Sequence, residues 1–356
     1  MPSFSIGVDL GGTNLRIAAV DADGKLLEKL ETGTQVARGR DFVIQEMSDA
    51  IKNVSARLRG KGDLVGVGLG VPGIIDQDTG MVRKSPNLPD WRDYPVKEEI
   101  ERRLNAPVIL ENDANAAALG EHWLGAGRNV QDMCILTLGT GVGGGLVMRG
   151  DVWEGMTGMA GELGHITVHP DGPKCPCGNT GCVEQYASAT AILRMARESI
   201  AAGNAQELND LASGIGPFKN VEFTAKAIYG LALQGDKPAQ EIFRKVGWAL
   251  GIVLGDIVNA FNLQMYVLGG GVSNSWDAFA PAMFEEVRKR SMVYAATAPA
   301  DVDDAKGASA GVSYVPSPKS KRTIITRALL GGDGGLFGAA RLPFLRSRKT
   351  PAISPA

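Results

Sequence analysis

The sequence lacks an excess of either charge. Its 37 basic side chains face 39 acidic ones, for a formal net charge of −2, which argues against a broad nucleic-acid-binding surface. It lacks an apolar run near the ~20 residues a membrane helix needs. Met133–Met148 is interrupted by a Gly-rich turn, and Val246–Gly255 is too short. No basic segment precedes the apolar run Ile6–Leu10, so no secretory signal is read and the cytoplasm is the expected compartment. No G-x-x-x-x-G-K-[ST] loop occurs, which speaks against a P-loop NTPase. Cysteine is scarce, with Cys134, Cys175, Cys177 and Cys182 only. Three of the four fall within eight residues, and in a reducing compartment that spacing points to a metal rather than a disulfide.

What the chain has is an ordinary globular composition, 44% hydrophobic and 21% charged over 356 residues. That length predicts two lobes and excludes wholesale disorder. Glycine is the outlier, with 47 residues in short clusters, so many backbone positions need a positive φ or a close ligand approach. Phe4–Leu10 predicts a strand, Gly11–Asn14 a turn and Leu15–Val20 a return strand. Apolar spacing predicts a helix over Asp41–Leu58, a buried strand over Leu64–Val71, and a strand over Pro107–Leu110 followed by the Ala-rich helix Ala114–Leu124. The opening pattern then recurs about 128 residues on: strand Met133–Leu138, glycine turn, strand Gly145–Met148. A long helix over Ala239–Asn262, a strand over Met265–Leu268, a Gly triplet and a helix over Trp276–Arg290 follow. Ser291–Arg322 reads as a long loop and Pro343–Ala356 as a disordered tail.

Three glycine loops follow strands. In Asp9-Leu10-Gly11-Gly12-Thr13-Asn14, glycines let backbone N–H groups converge on an anion, and the carboxylate of Asp9 suits a magnesium ion held through water. The second loop is Leu138-Gly139-Thr140-Gly141-Val142-Gly143-Gly144. Its formal G-x-G-x-x-G runs into a strand rather than a helix, so it lacks the context of a dinucleotide fingerprint. The third is Gly269–Gly271. A tight hairpin accounts for either of the first two alone; their repetition favours phosphate binding.

Glu111-Asn112-Asp113 lies where a strand meets a helix. Asn112 or Asp113 can cap that helix, and Asp113 can equally serve as the general base for a hydroxyl nucleophile in phosphoryl transfer. Downstream, C-x-C-x4-C with His165 ten residues ahead offers three thiolates and an imidazole, a closed tetrahedral zinc set with a structural role. His169, four residues beyond His165, is a rival ligand, and His122 reads as structural. Glu162 and Glu184, held beside such a loop, can accept hydrogen bonds from sugar hydroxyls.

Together these segments resemble the ROK family of sugar kinases, most closely its bacterial glucokinases. The resemblance spans about residues 4–342. It rests on Asp9–Asn14, Val71–Gly73, Asn87–Trp91, Glu111–Ala117, Leu138–Gly145, Gly161–His165, Cys175–Glu184, Leu268–Ser273 and Leu330–Ala340. It implies an α/β, two-lobed actin-like ATPase fold (a duplicated ribonuclease H-like unit) with a central cleft. Residues 1–113 would form a small lobe with a helix near 336–342 packing back on it. Residues 114–335 would form a large lobe with the zinc loop, and 343–356 a tail. The resemblance further implies transfer of a phosphoryl group from ATP to the 6-hydroxyl of a hexose, glucose first, with Asp113 as base. Gly73, Asn112, Asp113, Glu162, His165 and Glu184 would hold the sugar. Asp9, Gly11, Gly12, Thr13, Asn14, Arg16, Gly139, Thr140, Gly141, Gly143, Gly270, Gly271 and Gly335 would hold ATP and Mg²⁺, and His165, Cys175, Cys177 and Cys182 a structural Zn²⁺. The family often has Lys where Asn14 stands, and Arg16 is the candidate to compensate. A homodimer is implied, with no nucleic acid and no membrane. The alternatives are a kinase for fructose, mannose, N-acetylglucosamine or N-acetylmannosamine, and a sugar-responsive repressor of the same family. The repressor is disfavoured because the first hairpin starts at Phe4, ahead of which a helix-turn-helix has no room.

Overall fold

The computed structural model describes residues 2–85, 87–298 and 321–349. The chain forms two compact units. The first comprises 1–131, 145–161 and 332–356, and the second comprises 132–144 and 162–331.

In the first unit, β1 (Ser3–Leu10), β2 (Asn14–Asp21) and β3 (Leu26–Gly33) form a meander. Helix α1 (Arg40–Arg57) leads to β4 (Asp63–Val71), the hairpin β5 (Ile74–Asp76) and β6 (Met81–Lys84), and then α2 (Val96–Leu104), β7 (Val108–Asn112) and α3 (Asp113–Trp123). The sheet order is β3-β2-β1-β4-β7, with β4 parallel to β1 and β7 parallel to β4. Ile6, Val8, Val67 and Leu69 are fully buried, as expected of central strands covered on both faces.

The later elements are β8 (Met133–Leu138), β9 (Val142–Met148), β10 (Asp151–Val152), α4 (Glu184–Ala187), α5 (Ala189–Ala201), α6 (Gln206–Ser213), α7 (Ala225–Leu233), α8 (Lys237–Phe261), β11 (Met265–Gly269), α9 (Trp276–Arg290), α10 (Met292–Thr297), β12 (Ile324–Arg327) and α11 (Gly334–Lys349). The second sheet has the order β10-β9-β8-β11-β12, with β8, β11 and β12 parallel. Taken in chain order, each sheet reads third, second, first, fourth, fifth. The repeated glycine hairpin is therefore the visible part of a repeated sheet topology. Helix α8 begins at an Asp236 cap, whose Oδ1 accepts from the Ala239 amide at 2.8 Å, and ends at Asn262 with φ 49°.

Three expectations need correction. Residues 343–349 are helix, not tail, because α11 runs through Pro343 to Lys349. Leu342 and Phe344 are buried, and the Phe344 ring lies 6.4 Å from that of Trp123. That apolar burial outweighs one proline. Residues 350–356 lie outside the described residues. In the expected loop Ser291–Arg322, the first turn is helix α10, capped by Ser291 Oγ accepting from the Tyr294 amide at 3.0 Å. Residues 299–320 lie outside the described residues. Helix α3, expected to open the large lobe, belongs to the first unit.

Helix α11 reaches α3 and the sheet through glycines. A Cβ on Gly68 would collide with the Ala339 carbonyl, and one on Gly338 with the Ala116 carbonyl and, at 2.8 Å, the Gly120 amide. Gly338→Val is therefore expected to destabilise the first unit by about 3 kcal/mol or more. Denaturant unfolding checks this, and an unchanged midpoint would show that the contact yields freely.

Candidate active site

Strands β1, β4 and β7 are parallel, so their C-terminal ends share one edge of the first sheet. This is where ligands collect in α/β folds. Asp9 is the last but one residue of β1, Gly73 lies in the turn after β4, and Asn112 and Asp113 join β7 to α3.

The first glycine loop is closed by the Gly11 amide donating to the Asn14 carbonyl at 2.8 Å, and the Thr34 amide donates to the Thr13 carbonyl at 2.7 Å. Thr13 and Asn14 are exposed. Arg16 is the cross-strand partner of Asp9. Its Nη1 lies 3.7 Å from Asp9 Oδ2 and donates to the Gly332 carbonyl at 2.7 Å, and its Nε lies 3.3 Å from Glu31 Oε1. Arg16, in β2, is thus held between Asp9, Glu31 and the Gly332 carbonyl. Burial pushes the Asp9 carboxyl up to about 6, the negative charge of Asp113 adds to this, and Arg16 opposes it. Gly335 lies against the same carboxylate, with a Cβ there 3.5 Å from Asp9 Cγ.

Asn112 resolves the capping question. Its Oδ1 accepts from the Ala114 amide at 2.9 Å and the Asn115 amide at 3.3 Å, while its Nδ2 donates to the Gly73 carbonyl at 3.1 Å. Gly73 has φ 127° and leaves no room for a Cβ beside the Lys84 carbonyl. Asp113, the first helical residue, accepts from the Ala114 amide at 2.9 Å through Oδ1.

In the second unit, β8 and β11 are parallel, so the Gly139–Gly144 loop and Gly270–Gly271 likewise follow C-terminal strand ends. The loop is pinned by the Gly139 amide to the Gly141 carbonyl at 2.9 Å, the Ala189 amide to the Gly139 carbonyl at 2.8 Å, and Thr190 Oγ1 to the Thr140 carbonyl at 2.8 Å. Gly270, with φ 82°, packs against the backbone of Leu138.

Four expected metal ligands converge in this unit. The ligand atoms of His165, Cys175, Cys177 and Cys182 all lie within 4.8 Å of one another. Cys177 Sγ is 3.8 Å from Cys182 Sγ, and Cys175 Sγ is 3.6 Å from His165 Nδ1. Tetrahedral Zn–S bonds of about 2.3 Å separate two thiolates by about 3.8 Å, so the donor set fits zinc. His169 is not in the group; its ring packs 6.4 Å from Trp248. His122 is structural, its Nε2 lying 2.9 Å from the Val130 carbonyl. Cys134 is buried apart in β8. His165 Nε2 lies 3.8 Å from Glu162 Oε2. Glu184 does more than follow the cluster: its Oε2 accepts from the Val142 amide at 2.9 Å, tying the zinc loop to the glycine loop.

Sequence reasoning missed that link, and it missed Glu111. The signal for Glu111 was a charge at the end of an apolar strand. Its side chain is 2% exposed. Its Oε1 accepts from the Asn112 amide at 2.8 Å, Asn115 Nδ2 at 3.0 Å and Gln77 Nε2 at 3.1 Å. Burial pushes it up to about 7 despite those donors. The folded chain therefore holds this proton more tightly than the unfolded chain does. The resulting stability is fully present below about pH 4.5 and is lost as pH rises through about 7, with an upper bound on the order of 3 kcal/mol. Glu111→Gln, which cannot ionise, should gain on wild type between pH 5 and pH 8 in urea unfolding. A constant difference between the two proteins would show that Glu111 does not titrate there.

The site can be set beside known proteins. Residues 5–313 match the model of the ROK family. The glucokinase of Halalkalibacterium halodurans is 41% identical over 274 residues, 76% of this chain and 81% of that protein. The xylose repressor of Bacillus subtilis is 31% identical, over 81% of this chain and 69% of that protein. Among solved structures, a ROK family glucokinase from Streptomyces griseus in complex with glucose and AMPPNP aligns with a TM-score of 0.71 at 33% identity, covering 95% of this chain and 98% of that one. Fold and site together define a sugar kinase of the actin-like ATPase fold. The chain belongs to the ROK family. Among the described residues no helix is long and apolar enough to cross a membrane.

Proposed function

We propose that the chain transfers the γ-phosphoryl group of ATP to the 6-hydroxyl of a hexose, preferring glucose, with Asp113 as general base. The observation that carries this reading is the pairing of two carboxylates on one strand edge. Asp113 is held by the Asn112 turn, and its charge is felt at Asp9, the last but one residue of β1, beside the glycine loop. One carboxylate suits the hydroxyl nucleophile, the other the cation that accompanies phosphate.

In this mechanism Asn112, Asp113, Glu162, His165, Glu184 and the Gly73 backbone receive the sugar. The loops at Gly11–Asn14 and Gly139–Gly143, with Gly270, Gly271 and Gly335, receive the nucleotide. Asp113 accepts the O6 proton as O6 bonds to the γ-phosphorus and the bond to the β-phosphate oxygen breaks, so that ADP leaves. Backbone amides of the loops donate to the phosphoryl oxygens. Asp9 would hold a magnesium ion, which would supply positive charge to the phosphates there. His165, Cys175, Cys177 and Cys182 would hold a zinc ion, which would fix the loop that leads into Glu184. Glucose and AMPPNP on the Streptomyces griseus relative, and the name of the Halalkalibacterium halodurans relative, support the choice of sugar and donor.

The test is a coupled assay of ADP release with Mg-ATP across glucose, fructose, mannose, N-acetylglucosamine and N-acetylmannosamine. Glucose is expected to give the highest kcat/KM. Release independent of any hexose would sink the reading. The xylose repressor relative bears on the disfavoured alternative, sugar-responsive DNA binding, for which specific DNA binding at moderate salt is the check.

A further inference from the structure

A cleft of about 390 Å³ lies in the second unit, within the size range of small-molecule sites. None of its lining side chains is among those proposed to hold sugar, nucleotide or zinc. His169 contributes from the loop, Tyr186 from α4, Arg194 and Glu198 from α5, and Arg244, Lys245 and Trp248 from α8. The spacing is helical: Arg194 and Glu198 are four residues apart, as are Arg244 and Trp248, so each pair shares a face. The aromatic part centres on Trp248, which is partly exposed. The Tyr186 ring lies 5.6 Å from it at 76°, and the His169 ring 6.4 Å from it at 60°. Neither ring is stacked on the indole, which leaves indole surface for the flat or C–H-bearing face of a ligand. The polar part is cationic. Arg244 is paired with Glu241 by two bonds of 2.6 Å, and Arg194 Nη1 donates to Glu198 Oε1 at 2.5 Å. Those two carboxylates answer two of the three cations, and the charge of Lys245 is left over. Arg194 Nη2 donates to the Gln185 carbonyl at 2.6 Å, but its Nε is buried with no hydrogen-bond partner among the described residues. A buried N–H without an acceptor carries a desolvation penalty that a ligand oxygen would relieve.

We propose that this cleft binds a phosphate monoester carried on a ring, with the ring on Trp248 and the phosphate between Arg194 and Lys245. The proposal does not depend on the functional reading above. Glu198 is exposed, and a ligand can displace its carboxylate from Arg194 at small cost. Arg194 and Lys245 then present two positive charges. A phosphate monoester carries about −1.5 to −2 at pH 7 and offers three acceptor oxygens. That balances both cations and lets the guanidinium donate through more than one N–H. A carboxylate would leave one cation unbalanced. A sugar phosphate and a nucleoside monophosphate share this chemistry, the first with C–H groups on its ring face and the second with a flat base.

Fluorescence titration of the full chain tests this, with glucose and ADP saturating so that the proposed active site is filled. Trp248 emission is isolated by subtracting Trp248→Phe. Glucose 6-phosphate, AMP and inorganic phosphate are the probes. At least one of the two esters should shift the Trp248 emission saturably, and inorganic phosphate, which lacks the ring, should bind severalfold more weakly or not at all. The ester that binds more tightly identifies the source. Lys245→Glu should raise that ester's Kd about 10-fold or more. Glu198→Gln, which removes the competing carboxylate, should lower it severalfold. Both side chains are exposed, so neither change should disturb the fold, and melting temperatures check that. No Trp248 response to either ester overturns the proposal. So does an unchanged Kd in Lys245→Glu, a Kd in Glu198→Gln no lower than wild type, or inorganic phosphate binding as tightly as the esters. The readout needs no turnover. Absence of activity on every hexose would overturn the kinase reading alone, and the Lys245→Glu comparison would still decide this site.

Discussion

Asp113→Asn is expected to lower kcat by about 10²–10⁴-fold, the range for a lost general base, with hexose affinity and melting temperature close to wild type. The asparagine Oδ1 can still accept from the Ala114 amide, which Asp113 does at 2.9 Å. The cap of α3 belongs to Asn112 and is untouched. What disappears is the acceptor for the O6 proton and one negative charge near Asp9. That charge helps to raise the Asp9 carboxyl, so its removal should let Asp9 ionise at lower pH and leave cation binding intact or stronger. Single-turnover kinetics with isothermal titration of glucose separates the two effects. Turnover within tenfold of wild type would remove Asp113 from the base role, and lost glucose binding would make it a sugar ligand first.

The sequence made the strand-end turns and the helix cap legible because glycine loops and the Asn112-Asp113 pair carry their reason locally. A tight turn needs glycine wherever it is placed. The metal cluster was legible for the same cause: C-x-C-x4-C brings three thiols together within one short loop, and His165 is ten residues away. Close packing was not legible. Nothing local says that Gly68 and Gly338 meet helix backbone, since the partners Ala339 and Ala116 are hundreds of residues away. Pro343 misled for a related reason. Alone it reads as a break, and only the burial of Leu342 and Phe344 explains a helix continuing through it. Glu111 fell in between. A glutamate after Val108-Ile109-Leu110 was odd on sight, but its partner Gln77 lies on a separate segment, 34 residues earlier. Glu184 was expected to face a sugar, and its bond to the Val142 amide depends on a turn 42 residues earlier.

That bond gives the zinc cluster a reach beyond its own loop, and it sets the second large effect. Cys177→Ser should reduce bound zinc from about one per chain to near zero, raise hexose KM about 10-fold or more and lower kcat severalfold. Cys182 is followed directly by Val183 and Glu184, so freeing Cys182 frees the carboxylate that holds Val142. His165 keeps its Nδ1 toward Cys175 while Nε2 faces Glu162 at 3.8 Å. Without a metal on Nδ1 the ring can turn and the orientation toward Glu162 is lost. Gln185 Nε2 donates to Cys175 Sγ at 3.6 Å, and Arg194 Nη2 donates to the Gln185 carbonyl at 2.6 Å. The disturbance should therefore reach α5 while the first unit, with its own sheet and core, stays folded. Metal analysis, steady-state kinetics and limited proteolysis of the variant check the three parts. Full hexose affinity in a zinc-free, folded protein would separate the cluster from the sugar site and leave it a support for the loop alone.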